Sequence, residues 1–133
     1  MTTAAPTAPA RAAHRTLWGL QILLGVFFVV ASAAPKFWDD PYAVQIFTEI
    51  GAGQWFQYFI GAVELAGGIG LMVSRLAGPA AVGLMALMIG AGYTQAVVLD
   101  EPAMVVTPVI IFVLAAVIAW GRRDSIVAWL PRR

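Results

Sequence analysis

Residues 59–72 read FIGAVELAGGIGLM, and the class of the whole chain turns on them. The stretch is apolar and rich in glycine, as a helix packed inside a bilayer would be. Yet it carries one carboxylate, Glu64, near its centre. A charge at that depth costs about 3 kcal/mol on insertion scales. A chain that places one there must shelter it, pair it or protonate it.

Composition supports the membrane reading on both sides of this stretch. Of 133 residues, 61% are hydrophobic and 11% charged, against about half and a quarter in an ordinary soluble domain. A small globule buries too little of its surface to hide that much apolar material. The net charge is +1 and no basic stripe interleaves with aromatics, so nucleic acid is excluded as a partner. There is no cysteine, which removes disulfides, thiol relays and cysteine metal sites together. Lone His14 reads as a surface residue and the methionines as packing, so no metal site is expected and no cofactor is held covalently. Any electron chemistry would have to come from a borrowed cofactor or a partner.

Four charge-poor runs follow one another along the chain, at about 16–35, 55–74, 76–99 and 102–121. A helix of about 20 residues crosses a hydrocarbon core of about 30 Å, so each run is long enough to span. The expected fold is an all-α membrane protein, a bundle of four transmembrane helices over 16–121. Residues 1–15, small and polar with two prolines, read as a disordered cytoplasmic tail, and 122–133 as a basic cytoplasmic tail. Seven of the eight basic residues, all but Lys36, fall on one side if both termini are cytoplasmic. That orients the chain as a multi-pass membrane protein with both termini cytoplasmic. A rival reading takes the first run, with ASA at 31–33, as a cleavable signal peptide.

The segment between the first two spans is more than a linker. Asp40-Pro41 can start a short helix, with proline in its first turn, and Gly51 and Gly53 can stop it. Val44, Phe47 and Ile50 would share one side. With Trp38, Tyr42 and Trp55 nearby, this suits an interfacial helix at the outer headgroups. In the C-terminal tail, Trp129 is read as an anchor beside anionic lipid.

Glu64 lies nine residues beyond Trp55, or about 14 Å deep at 1.5 Å per residue. Its helical neighbours include Gly61, Gly67 and Gly68, small residues that let helices approach closely in lipid. A parallel stripe of Ala62, Ala66 and Gly70, facing Gly83, Ala86 and Gly90, predicts tight packing of the second and third spans. The other polar groups of the spans gather in the outer half, apart from Gln21. A polar pocket opening outward is therefore expected, drawn from Glu64, Lys36, Gln95, Tyr93 and Thr107. A lysine stem reaches about 6 Å and the two depths differ by about 14 Å. Direct pairing of Lys36 with Glu64 thus needs staggered helices or bridging water. Against this site stands the plainer reading of Glu64 as a protonated acid that ties the bundle together.

With these features in place, residues 15–122 resemble the DoxX-like family of small four-span bacterial membrane proteins. The resemblance is carried by ASAAPKF at 31–37, IFTEIG at 46–51, GAVELAGGIGLM at 61–72 and GAGYTQ at 90–95. It marks Lys36 and Glu64 as family positions, with Gln95 where a histidine is frequent. It implies a subunit or anchor of a membrane oxidoreductase complex, since some relatives are subunits of a thiosulfate:quinone oxidoreductase. A quinone head group is the cofactor such a pocket would take, and a redox enzyme the partner beside the lipid bilayer and further copies of the chain. The chain would not be a self-contained enzyme. Two alternatives stay open: a small proton-coupled transporter using Glu64, and a membrane scaffold without a site of its own.

Overall fold

The computed structural model describes residues 8–131. Among these, every regular element is helical. The first long helix starts as α1 (Ala8–Val26), passes through a π-helical stretch (Phe27–Ala33) and closes as α2 (Ala34–Phe37). Helix therefore already covers residues 8–15, where a disordered tail was expected; positions 1–7 lie outside the described residues. The π-helical widening has a chemical cause at Pro35. Proline has no N–H to donate and its ring crowds the carbonyl four residues back. Just before it, the Ala34 N–H reaches Val29 O, five residues away.

Then comes α3 (Pro41–Ile50), capped as its sequence predicts. The Asp40 carboxylate accepts from the Tyr42 and Ala43 N–H groups at 3.1 and 3.4 Å. Gly51 ends the helix at φ 78°, a left-handed conformation that glycine adopts without penalty. The inward face is Ala43 and Phe47, with Val44 only half-buried.

Three further long helices follow: α4 (Gln54–Leu71), α5 (Ala77–Tyr93) and α6 (Val106–Gly121). A second π-helical stretch (Thr94–Val98) extends α5, and a 3-10 turn (Pro102–Val105) leads into α6. A short α7 (Arg123–Val127) folds back onto the start of α5, where Ser125 Oγ accepts from the Gly78 N–H at 2.9 Å.

Three segments are long and apolar enough to cross a membrane: Ala10–Phe37, Ala77–Val98 and Pro102–Gly121. The expected second span is not among them. Its helix, α4, carries Gln54, Gln57 and Glu64 as well as its glycines, which dilute its hydropathy.

α4 is held between the first long helix and α5, and α5 packs most extensively on α6. A core of Leu24, Phe28, Leu71, Leu84, Ile111 and Ile118 joins these helices. The small-residue faces work differently from the expected pattern. Ala62 and Ala66 are exposed, and nothing lies within 4 Å of a Cβ placed on Gly83 or Gly90. At Gly70 the expected approach to α5 is made, with a Cβ there 2.8 Å from Ala80 Cβ, but the closest backbone-to-backbone crossing is with the first helix. A Cβ on Gly25 would stand 2.8 Å from Gly68 O, and one on Gly68 would stand 2.8 Å from Gly25 O. Two backbones meet here with no side chain between them. α5 meets α4 through a side chain, with Leu84 seated on Gly67.

Candidate functional site

Glu64 is 6% exposed and stands directly against two residues of the first helix. Its Oε2 lies 2.8 Å from Lys36 Nζ, and its Oε1 accepts from Ser32 Oγ at 2.9 Å. Lys36 Nζ also donates to Ser32 O at 2.8 Å, which closes the cluster. Ser32 and Lys36 are four residues apart and so share a helix face. Pro35 and the π-helical stretch lie on the same turn of chain, and π-turns of this kind often mark functional sites.

The direct ion pair corrects the depth estimate made from sequence. Lys36 does not stand level with Trp55. Gln57 Nε2 donates to Lys36 O at 2.7 Å, and a Cβ on Gly61 would lie 3.3 Å from Lys36 Cβ. Lys36 is therefore level with the Gln57–Gly61 turn of α4. From Gly61 to Glu64 is about 4.5 Å of rise, within the reach of a lysine stem. The stagger is set by the turn that follows α2. Asp39, at φ 57°, accepts at Oδ1 from Gln54 Nε2, Gln57 Nε2 and Tyr58 OH at 3.1, 3.1 and 2.7 Å. That clasp draws the end of the first helix down beside α4.

The cluster forms one end of a cavity of about 560 Å³. Its walls come from the first helix, α3, α4 and α5 with its π-helical extension. They are mostly apolar, with Ile46, Phe47, Ile60, Leu87 and Met88 prominent. Gln95 and Thr94 line it from the α5 side. Both belong to the second π-helical stretch, where the Leu99 N–H reaches back to Thr94 O at 2.9 Å. Of the five residues expected to form a pocket, Lys36, Glu64 and Gln95 come together here. Tyr93 is 62% exposed and Thr107 is exposed at the start of α6; neither lines the cavity. At two residues' spacing Tyr93 and Gln95 point about 200° apart, so only one of them can face inward.

Ser32, the second partner of Glu64, is absent from the pocket residues that sequence reasoning singles out. The signal was its spacing of four from Lys36. The α3 wall was missed too: Ala43 and Ile46 line the cavity beside Phe47 and Ile50.

A second polar cluster lies at the opposite end of the helices. Buried Gln21 donates to Leu71 O at 2.7 Å and accepts from Arg122 Nε at 2.6 Å. Arg122 Nη1 also meets His14 Nδ1 at 2.9 Å, and its guanidinium stacks over Trp18 at 5.5 Å. Partial burial holds this guanidinium below its ordinary value, though arginine keeps its charge. Arg75 over Trp129 at 5.5 Å and Arg123 over Trp120 at 4.6 Å complete a ring of arginine–tryptophan pairs. These contacts tie the start of the first helix to the end of α6. No group of histidine and carboxylate side chains forms a metal-binding cluster among the described residues.

The model of the DoxX-like family matches residues 19–118, more than half of the chain and all of the cavity-lining residues. No curated protein and no solved structure matches it.

Proposed function

The chain belongs to the DoxX-like family, and from that premise and the cavity we propose that it is a quinone-binding subunit of a membrane oxidoreductase complex. In this reading α4 is a fourth span, 18 residues long. Its polar residues are tolerated because the first helix and α5 cover them. Both termini face the cytoplasm of a bacterial inner membrane, and α3 lies at the outer headgroups.

One observation carries the reading: a cavity of about 560 Å³ with mostly apolar walls, the Lys36–Glu64 pair at one end and Thr94 and Gln95 on the α5 wall. That is the lining expected for a small amphiphile, since ligand sites of a few hundred Å³ pair apolar walls with a few placed polar groups. The chain has no cysteine and no metal-binding cluster among the described residues, so the electrons belong to the quinone and to a partner enzyme.

The test is purification from native membranes in mild detergent, followed by lipid extraction and mass spectrometry. An isoprenoid quinone and a redox enzyme should come down in near-stoichiometric amounts. The quinone should be lost from Gly90→Phe, since Gly90 lines the cavity with open space around its Cβ position. Recovery of the chain with ordinary lipid alone would overturn the reading.

A further inference from the structure

We propose that the apolar tail of the ligand leaves the cavity sideways, through a lipid-facing mouth at Ala86 and Gly90, and lies in a furrow between α4 and α5. This rests on the reading of the cavity as a quinone site and adds where the tail of that quinone is held.

On its outer side the cavity is roofed by α3, whose Ala43 and Phe47 are buried. On the α5 side two of its lining residues, Ala86 and Gly90, are exposed. Both lie within Ala77–Val98, a segment long and apolar enough to cross a membrane. Ala86 stands about 14 Å along the helix from Ala77, so in a bilayer it faces hydrocarbon rather than water. Neither residue fills the opening. Alanine has a single side-chain carbon, and a Cβ placed on Gly90 would meet nothing within 4 Å.

A second void begins where this mouth opens. It measures about 330 Å³ and lies along the same α4–α5 seam. Val63, Ala66, Gly67 and Gly70 line it from α4, Ala80 and Gly83 from α5, and no polar side chain borders it. Helical spacing sets the two voids end to end. Gly83 in the furrow and Gly90 in the cavity are seven residues apart, so they share one face of α5 to within about 20°. Ile60 in the cavity and Gly67 in the furrow are related in the same way on α4. Only about 4.5 Å of rise separates Gly83 from Ala86, and Ile60 from Val63. The furrow then runs inward to Pro79, about 16 Å along the axis from Gly90.

The two voids differ in chemistry as the two ends of an amphiphile do. The cavity has the Lys36–Glu64 pair, whereas the furrow has nothing that hydrogen-bonds and suits an alkyl or isoprenoid chain. In a bilayer such a chain gains no hydrophobic free energy by leaving lipid for the furrow. Close packing against small residues holds it there, together with its tether to a bound head group, which raises its local concentration. The place of the tail is therefore better read from contact than from affinity.

The experiment is photolabelling of the whole chain in lipid nanodiscs with a ubiquinone analogue that carries a diazirine midway along its alkyl tail. Labelled residues are mapped by mass spectrometry, with and without excess decylubiquinone. The label should fall on Val63, Ala66, Ala80 or Gly83 and be lost under competition. Gly83→Phe, which fills the furrow from a position with open space around it, should displace the label from these residues. Ala66→Phe should do the same from the α4 side, and keeps the test informative if the first variant does not fold. Furrow label unchanged in these variants would overturn the tail site while leaving the quinone site standing. So would competable label on α6, or on the first helix near Ala31, the other exposed lining residue within a span. Label that decylubiquinone does not displace, wherever it falls, would be ordinary lipid contact and would remove the quinone site as well.

Discussion

At the residue scale, Glu64 is affordable in this chain because it is compensated. The apolar stretch around it excludes water, and in such surroundings an unpaired charge is far more costly than a paired one. Lys36 supplies the opposite charge at 2.8 Å and Ser32 a hydrogen bond at 2.9 Å. Breaking a buried pair from one side leaves the other charge stranded, which typically destabilises by 3–5 kcal/mol. Lys36→Met and Glu64→Leu should therefore each destabilise the protein by about 3 kcal/mol in detergent unfolding experiments. The double variant should lose less than the sum, since an apolar pair can replace an ion pair at little cost. Strict additivity would mean that the two residues do not act as a pair.

The residue scale also shows why the site was only partly legible. Lys36, Glu64 and Gln95 stand out in sequence as polar groups in apolar runs. Their partners do not: whether Ser32 faces Glu64 or bonds its own backbone depends on the rotation of the helix. Tyr93 and Thr107 looked equally eligible, and the rotation of α5 and α6 turns them outward.

At the element scale, glycine decides which helices touch. The first helix and α4 cross where Gly25 and Gly68 face each other, each Cβ position 2.8 Å from the other's carbonyl oxygen. Any side chain there must push the two backbones apart, and neither backbone can yield as a flexible side chain would. Gly25→Val or Gly68→Val should destabilise by about 2 kcal/mol, in the range of overpacking, and should loosen the Lys36–Glu64 pair, since Glu64 lies one turn from Gly68 on α4. Gly83→Ala is the matched control. It has open space around it and gains helix propensity of up to about 1 kcal/mol, so its thermal midpoint should stay level or rise. Similar losses at all three positions would show that the crossing is not specific. The glycine pattern announced close packing in sequence, and at Gly70 the right partner, α5, but not the crossing of Gly68 with the first helix. A glycine face fits any neighbour of suitable shape, and the choice between the first helix and α5 was made by the core as a whole.

The two π-helical stretches belong to this scale as well. Pro35, the chemical cause of the first, is visible in the sequence, whereas the second, Thr94–Val98, holds no proline and has no such local signal. Both stretches border the cavity, one through Ser32 and the other through Thr94 and Gln95.

At the scale of the whole molecule, the proposed topology places α3 and the turn at Asp100 on one side of the membrane. Arg75, α7 and the chain ends lie on the other. The absence of native cysteine makes this directly testable. Single cysteines at Gln45 and Asp100 should react with a membrane-impermeant maleimide on intact spheroplasts, and cysteines at Arg75 and Ala128 only after lysis. Labelling of Gln45 and Arg75 from the same side would show that α4 does not cross. The ring of arginine–tryptophan pairs fits the proposed inner face, where basic and aromatic side chains together favour anionic headgroups.

Composition and periodicity alone determined that the chain is helical and membrane-embedded, and that α3 begins at Asp40-Pro41 and stops at Gly51. They also marked Glu64 and Lys36 as the polar residues of interest. These are local properties, set by hydropathy over a span, by capping groups and by the conformational range of glycine and proline. The tertiary structure decided that Lys36 reaches Glu64 directly, that Ser32 completes the cluster, and that α3 walls a cavity with Gln95 on its far side. Those outcomes depend on the stagger and rotation of helices against one another. Helix stagger comes from the Asp39 clasp and the Gly25–Gly68 crossing, contacts between residues far apart in the chain, and no local pattern encodes them.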